Sequence, residues 1–588
     1  MARVGTAVVG ACALLAVACT APATPDGTAS PTPTPTPPPV YTAELRLPEE
    51  ATTVVGGTAP ATLAAGMSTA LYESAPVAVV APADDVAAQV RAASVAVALG
   101  APLLLDTPAA EVPATDAPTA TPTPAAADAP ADDPTTAELD RLGVLAVLTV
   151  GDVMPEVGDD VVVVTAPEDD RALAELLRVE LAAPPFEASP PPGADVSAVA
   201  ALDRDAPTLL TPPPSPSPSS GPERTADAGP GEEDTTPELP RTELAEAPDG
   251  ALVLTTGAQA ELAAVATARA AGVEVVTVTS ADPRVDSADV QAIAAASPSS
   301  TIAIGDTFGA AETLDWKVAT AATGVELPGG GQLAFTNRRM VAMYGCPTFP
   351  ALGILGEQDI PSSISRVRGL ANEYQALTPE RVVPAFEIIV TIASAGAGED
   401  GNYSNELPVE TFVPWVEAAL EAGVYVVLDL QPGRTDFVTQ AKLYEQLLLY
   451  PNVGLALDPE WRLAPDQVHL RQIGSVHVDE VNAVADYLAE LTRTHHLPQK
   501  VLVLHQFMQR MIQGRENLDT SHPELAVLIH ADGQGSQGGK NGTWQNLHQG
   551  APAGVVWGWK NFIDEDVPML TPAQTYQVQP VPHFVSYQ

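Results

Sequence analysis

From Asn337 to Gln588 the residues able to do acid–base chemistry stand at one kind of place, in or just past the carboxyl end of a short apolar run. Asp458 and Glu460 follow Val453–Leu457, Glu387 lies within Ala385–Ala393, and Asp429 sits near the end of Tyr425–Leu430. His505 and Gln506 follow Val501–Leu504, His530 and Asp532 follow Leu525–Ile529, and Trp557, Trp559 and Lys560 close the run from Gly554. Tyr344 and Cys346 end a further run from Met340. A chain turning there needs only a residue such as Gly or Asn. Carboxylates and imidazoles in that position are therefore candidates for proton transfer, and two carboxylates with flat aromatic rings nearby are what glycoside cleavage requires. Asp458, Glu460, Glu387 and Asp429 are the candidate catalytic acids. Trp461, Trp557, Trp559, His505 and Asp532 are the candidate substrate contacts.

The elements that must hold these residues follow from spacing. Seven apolar runs alternate with segments of helical period, among them Glu357–Tyr374, Phe412–Ala422, Thr435–Leu449 and Val478–Arg493. That alternation predicts a parallel β/α fold of the (β/α)8-barrel type over 337–588, with chemistry at the strand ends and Ile473–Val476 as the candidate eighth strand. An open doubly wound sheet is the alternative. Residues two apart on a strand point the same way, so Asp458 and Glu460 share a cavity if the strand runs that far. The step Asp458-x-Glu460-Trp461 resembles the end of the acidic strand in chitinase-like hydrolases, where the last glutamate protonates the leaving oxygen; here Ala456 replaces a further aspartate and Pro459 separates the acids.

Plainer readings stand beside each of these. Glu387 pairs with Arg434 or Arg462 as a buried structural acid, Asp458 caps the following helix, and the histidines are ordinary polar contacts. Cys346 reads as a buried thiol. His505, His530 and Asp532 are the residues that a metal would bring together, but they form no HxxxH or similar close pair, so the metal signal is weak and neither a metal nor a cofactor is expected. Gly533–Gly542 reads as a mobile loop, either a lid or a long connection.

Ahead of this region the chain carries one pattern twice. From Ala75 it reads APVAVVAPADDVAAQVRAASVAVALGAPLLLDT and, from Thr136, TAELDRLGVLAVLTVGDV; from Gly250 it reads GALVLTTGAQAELAAVATARAAGVEVVTVTS and, from Ser287, SADVQAIAAASPSSTIAIGDTF. Strand, Ala-rich helix, second strand, helix and a strand ending in Gly-Asp imply a parallel sheet covered by helices. The pattern resembles the type 2 cell wall-binding repeat of Gram-positive surface proteins, most closely at Leu99–Leu105, Glu138–Val144 and Val150–Asp152. The resemblance implies an anionic wall polymer as partner. The expected organisation is thus α/β throughout: two tandem units, 41–205 and 249–333, then the barrel. The segments Thr107–Thr135 and Ala206–Pro248, rich in Pro and acids, read as a disordered insert and linker.

The chain has 588 residues with a net charge of −47 and 59 prolines. So acidic a surface excludes binding to nucleic acid by bulk electrostatics. Residues 1–18 read as a signal peptide too short to span a bilayer, and 19–40 as a Pro/Thr tether. Leu15-Ala16-Val17-Ala18-Cys19 resembles the lipobox of bacterial lipoproteins, which implies acylation of Cys19 and attachment to the outer face of the cell membrane. Two functions remain open: a surface lipoprotein cleaving envelope polysaccharide with a glycoside-hydrolase-like barrel, or one that binds such a polymer through a degenerate barrel. Labelled fatty acid is expected to enter the wild-type protein and not Cys19→Ser; equal release of both into the medium would contradict the lipid anchor.

Overall fold

The computed structural model describes residues 38–107, 133–182, 194–210 and 238–588, so the signal, Cys19 and all of the tether but its last three residues lie outside the described residues. Eight short strands build the first two sheets: β1 (Thr52–Val55), β2 (Val77–Pro82), β3 (Leu103–Asp106), β4 (Ala146–Thr149), β5 (Val162–Thr165), β6 (Ala251–Thr255), β7 (Glu274–Thr277) and β8 (Ser300–Ile304). Their orders, β3-β2-β4-β5 and β7-β6-β8-β1, match position for position, and every pairing is parallel. The outer strand of the second sheet is β1, drawn from the segment 41–205. The two units are therefore not separate in sequence.

Alanine content explains how they join. Helices Pro60–Leu71, Val86–Leu99 and Leu262–Ala270 meet through Ala64, Ala92, Ala93, Ala96, Ala263 and Ala266, all fully buried, and one apolar core runs through both sheets. Small side chains let helix backbones approach closely. The Thr267 hydroxyl reaches across this seam to the edge strand β3, accepting from Leu103 N at 3.0 Å and donating to Leu103 O at 3.2 Å. An edge group otherwise left bare is thereby satisfied.

The two Pro-rich segments are ordered at their ends. Thr135 is buried in helix Pro134–Leu142 and donates to Leu105 O at 2.6 Å, Leu209 and Leu239 are buried, and Arg241–Glu243 pairs in parallel with Val40–Thr42. The composition-based boundaries 107–135 and 206–248 are therefore too wide, and residues 108–132 and 211–237 lie outside the described residues.

Eight further strands close a parallel barrel: β9 (Arg338–Gly345), β10 (Arg381–Ala393), β11 (Tyr425–Leu430), β12 (Val453–Leu457), β13 (Lys500–Gln506), β14 (Leu525–Ala531), β15 (Val556–Asn561) and β16 (Phe584–Tyr587). Each pairs with the next, and β9 pairs with both β10 and β16, so the open-sheet alternative is excluded. The eighth strand is β16, at the carboxyl end. Ile473–Val476 contributes only to a two-residue strand, Val476–His477, paired outside the barrel with Ile512–Gln513. Trp316 of the second unit lies between the guanidiniums of Arg284 and Arg493, 4.6 and 4.8 Å from its ring, and Arg284 donates to Pro523 O just ahead of β14. The α/β region therefore docks at the end of the barrel where its strands begin.

Side-chain alternation divides the barrel strands. Val426, Leu428, Leu430, Leu455, Leu457, Leu502 and Leu504 pack outward against helices, while Met340, Ala342, Val383, Ala385, Tyr425, Val427, Ala456, Val501, Val503 and Leu528 fill the lumen. Tyr425 crosses over β12 to accept from Val501 N of β13 at 3.0 Å, and this is open to it because the intervening lumen residue is Gly454. A Cβ there would stand 2.5 Å from Val501 O and 2.8 Å from the Tyr425 hydroxyl. Gly454→Ala is expected to destabilise the barrel by about 1–3 kcal/mol through overpacking, read as a lower urea midpoint.

Candidate functional site

The same alternation that fills the lower lumen with apolar groups puts polar ones above it. Continuing the inward parity up each strand gives Tyr344 on β9, Glu387 on β10, Asp429 on β11, Asp458 just past β12, His505 on β13, His530 with Asp532 at the end of β14, Lys560 on β15 and Ser586 on β16. Register brings them level, with Tyr344 opposite Glu387, His505 opposite His530, and Lys560 opposite Ser586. The regular register sets Asp429 beside Ile389, and the pairing shifts only beyond it, between Ile389 and Thr391. Gly558, opposite His530, leaves room for its ring, since a Cβ there would lie 2.6 Å from His530 Cδ2.

Contacts knit the ring together. His505 Nε2 is 2.9 Å from Glu387 Oε1 and 4.0 Å from Asp429 Oδ1, and His505 Nδ1 is 3.0 Å from Asp532 Oδ2 at an angle outside hydrogen-bond geometry. The Tyr344 hydroxyl donates to Asp429 Oδ2 at 2.8 Å, and Ser586 Oγ is 3.2 Å from His530 Nε2. Lys560 Nζ lies 3.2 Å from Asp532 Oδ1 and 3.5 Å from the centre of the Tyr344 ring. Glu387, Asp429, His505 and His530 are fully buried, and Asp458 and Lys560 are 2% exposed.

Charge sorts this cluster into two sets. Burial raises the Glu387 carboxyl, but His505, then His530 and Lys560, outweigh it and hold the group below the ordinary carboxylate range. Burial likewise opposes ionisation of Asp532, and Lys560 and His505 overcome it, pushing the group well down. His505 is in turn held well above an ordinary imidazole despite burial, by Glu387 and Asp532. These four form a balanced quartet of two anions and two cations. The remaining groups resist charge: burial, reinforced by Glu387, carries Asp429 up to about 6 against the pull of His505; burial, Glu460 and Asp429 drive Asp458 well up; and burial takes His530 down to about 3. Glu460 is pushed up to about 7 by burial and by Asp532.

The structure gathers Glu387, Asp429, Asp458, Glu460, His505 and Asp532 around one lumen. It corrects the roles expected for Trp557 and Trp559. Both point outward and pack with Trp544 and Leu547 of helix Gln537–His548, with the His548 ring stacked 3.5 Å from Trp557, so neither reaches the mouth. Odd-numbered residues of β15 lie on the outer face, as Lys560 on the inner one requires. Trp461 does stand at the rim, 5.4 Å from the His469 ring, and His469 Nε2 is 3.0 Å from Tyr403 O. Gly533–Gly542 is not a long loop. Most of it starts helix Gln537–His548, capped by the Ser536 hydroxyl, and Lys540 of that helix is buried against Asp566 and the carbonyls of Gly533 and Lys560. Cys346 is buried, its sulfur 3.2 Å from Thr348 Oγ1. Glu387 pairs with His505 rather than with an arginine; Arg434 donates to Gln467 O, and Arg462 pairs with Glu480. Tyr344 and Lys560 stand at strand ends that the sequence singles out but without an assigned role, and Ser586 was not expected at all, the missing signal being β16 itself.

No protein-family model matches the chain, and no curated protein matches it. Among solved structures it is similar to Cwp6 from Clostridium difficile at 11% identity and a TM-score of 0.31, with 69% of this chain and 62% of that chain covered. At that level the site must be read from its own geometry.

Lys560→Met removes one partner of a buried pair and leaves Asp532 facing the other acids. Its expected cost is about 3–5 kcal/mol. The Lys560 contact depresses Asp532, so its stabilisation is present above the ordinary aspartate range and lost as the pH falls through the depressed value. Denaturant titrations of the two proteins should therefore converge in acid.

Proposed function

We propose that this is a surface lipoprotein, held at the outer face of the cell membrane through Cys19, whose barrel hydrolyses an envelope polysaccharide with Glu460 as proton donor. The observation that carries the reading is the position of Glu460. It sits on the turn Pro459–Trp461 just past β12, only partly buried and near enough to Asp532, Lys560 and His505 to feel their charge, while the acids of the lumen are sealed from solvent. A carboxyl that keeps its proton near neutrality and still meets solvent is what protonation of a glycosidic oxygen needs.

The opposing charge belongs to Asp532, ion-paired with Lys560 at 3.2 Å and 7% exposed at its side chain. On this reading Asp532 is the carboxylate that faces the developing positive charge at the sugar. Asp458 is itself driven toward the neutral form, so it does not take that part, in contrast to the arrangement implied by the chitinase-like sequence step. Glu387, Asp429 and His505 position and polarise these two groups from beneath. Trp461, with Tyr403 and His469, provides the aromatic rim against which a saccharide rests.

The binding-only reading is favoured by one observation, the outward turn of Trp557 and Trp559, which leaves the rim with a single indole. Turnover separates the two. With soluble polysaccharide from the producing organism's envelope, Glu460→Gln is expected to lower kcat by at least 100-fold while preserving binding and the unfolding midpoint. Wild-type activity should fall as the pH rises through about 7, as Glu460, facing Asp532, Lys560, His505, Asp429 and Asp458, gives up its proton. Binding without turnover in the wild type would leave the second reading.

A further inference from the structure

We propose that the barrel lumen holds a divalent transition-metal ion of the zinc class, bound by Glu387, His505 Nε2 and His530 Nδ1, with Asp429 Oδ1, which stands outside this close group at 4.0 Å from His505 Nε2, drawn in to the fourth position. The inference is independent of polysaccharide cleavage. One ligand atom from each of Glu387, His505 and His530 lies within 4.8 Å of the others, on three different strands of a rigid barrel. Glu387 Oε1 is 2.9 Å from His505 Nε2 and 3.9 Å from His530 Nδ1, and Asp429 Oδ1 is 4.0 Å from His505 Nε2. Bonds of about 2.0–2.2 Å to a tetrahedral zinc imply ligand separations of about 3.3–3.6 Å, which these distances bracket.

The orphaned atoms point the same way. Glu387 Oε2, Asp429 Oδ1 and His530 Nδ1 are all without a hydrogen-bond partner, on side chains with no solvent exposure. Burying such groups bare is costly, and chains avoid it unless something fills the place. Of the ligands other than Glu387, His530 is fixed through Nε2 by Ser586 at 3.2 Å and Asp429 through Oδ2 by the Tyr344 hydroxyl at 2.8 Å, while His505 Nδ1 faces the Asp532 carboxylate at 3.0 Å as an ion-pair contact. A carboxylate or hydroxyl beside the far nitrogen of each imidazole, leaving the other nitrogen turned inward, is the kind of outer shell that metal-binding histidines use. Two imidazoles with two carboxylates suit zinc over magnesium or calcium, which prefer all-oxygen shells. The ion would replace the proton between His505 and Glu387 and offset the excess of lumen carboxylates over Lys560. With four protein ligands and no solvent access the site is a structural one, set below Glu460.

The test uses the full-length protein stripped with chelator and titrated with zinc, followed by calorimetry, elemental analysis and thermal unfolding. The expected result is one zinc per chain, a rise of several degrees in Tm, and visible cobalt(II) absorption of the tetrahedral type. His530→Ala and Asp429→Asn should each weaken affinity at least tenfold, and Ser586→Ala by about 10-fold to 100-fold, the last serving if the ligand variants fail to fold. The partly exposed cluster of Asp486, Asp519 and His522, with His522 Nε2 3.1 and 3.7 Å from the two acids, is the control. His522→Ala should change nothing. Absence of stoichiometric zinc in the wild type, or binding lost in His522→Ala and intact in Ser586→Ala, overturns the proposal. Glu460→Gln should keep full zinc affinity, which separates failure of this site from failure of the hydrolytic reading.

Discussion

Burial of opposite charges inside a closed barrel is the constraint on which the rest of this molecule turns. Glu387 and Asp532 sit on either side of His505, and Lys560 balances Asp532 from the next strand. An ion in such a place is tolerated only when paired and held, because its desolvation is not recovered otherwise. The barrel supplies that holding. Eight parallel strands fix the ring positions by register, and the apolar layer beneath, with Tyr425 laid across Gly454, gives the ring a floor.

The quartet in turn shapes its neighbours. With two anions already compensated, burial opposes ionisation of the remaining carboxylates more than the nearby cations favour it, so Asp429, Asp458 and Glu460 are pressed toward the neutral form. The gradient runs outward. Sealed acids lie at the level of Glu387, and the partly exposed Glu460 lies at the lip, where a molecule from solvent first meets the barrel. Groups at the ends of different strands thereby acquire different protonation states from environment alone.

The amino-terminal region solves a different problem with the opposite means. Its sheets are short and almost wholly apolar, and its helices are so rich in alanine that they pack by closeness rather than by interdigitating large side chains. Two matched sheets share one core through that seam, and β1, coming from ahead of the first, completes the second. Attachment to the barrel rests on a different chemistry again, the Trp316 indole between two arginines.

Much of this was present in the one-dimensional pattern. Apolar runs ending in acids and histidines, separated by helical periods, determined a parallel β/α fold with its polar residues at the strand ends, because a strand's period of two and a helix's period of 3.6 are local properties. The repeated alternation likewise determined the two parallel units. Tertiary structure alone decided the rest. Whether Trp557 faces the mouth or a helix depends on which parity of β15 is inward, and the run Val556–Asn561, with both indoles on one face and Gly558 and Lys560 on the other, does not by itself say which face is the inner one. The strand Phe584–Tyr587 is too short to announce itself, and β1 joins a sheet whose other strands lie some two hundred residues away in sequence. Above all, nothing in the order of residues places Glu387 against His505 and His530. That meeting, across 118 residues in the first case, is produced by closure of the barrel, and a contact made by closure has no local signature.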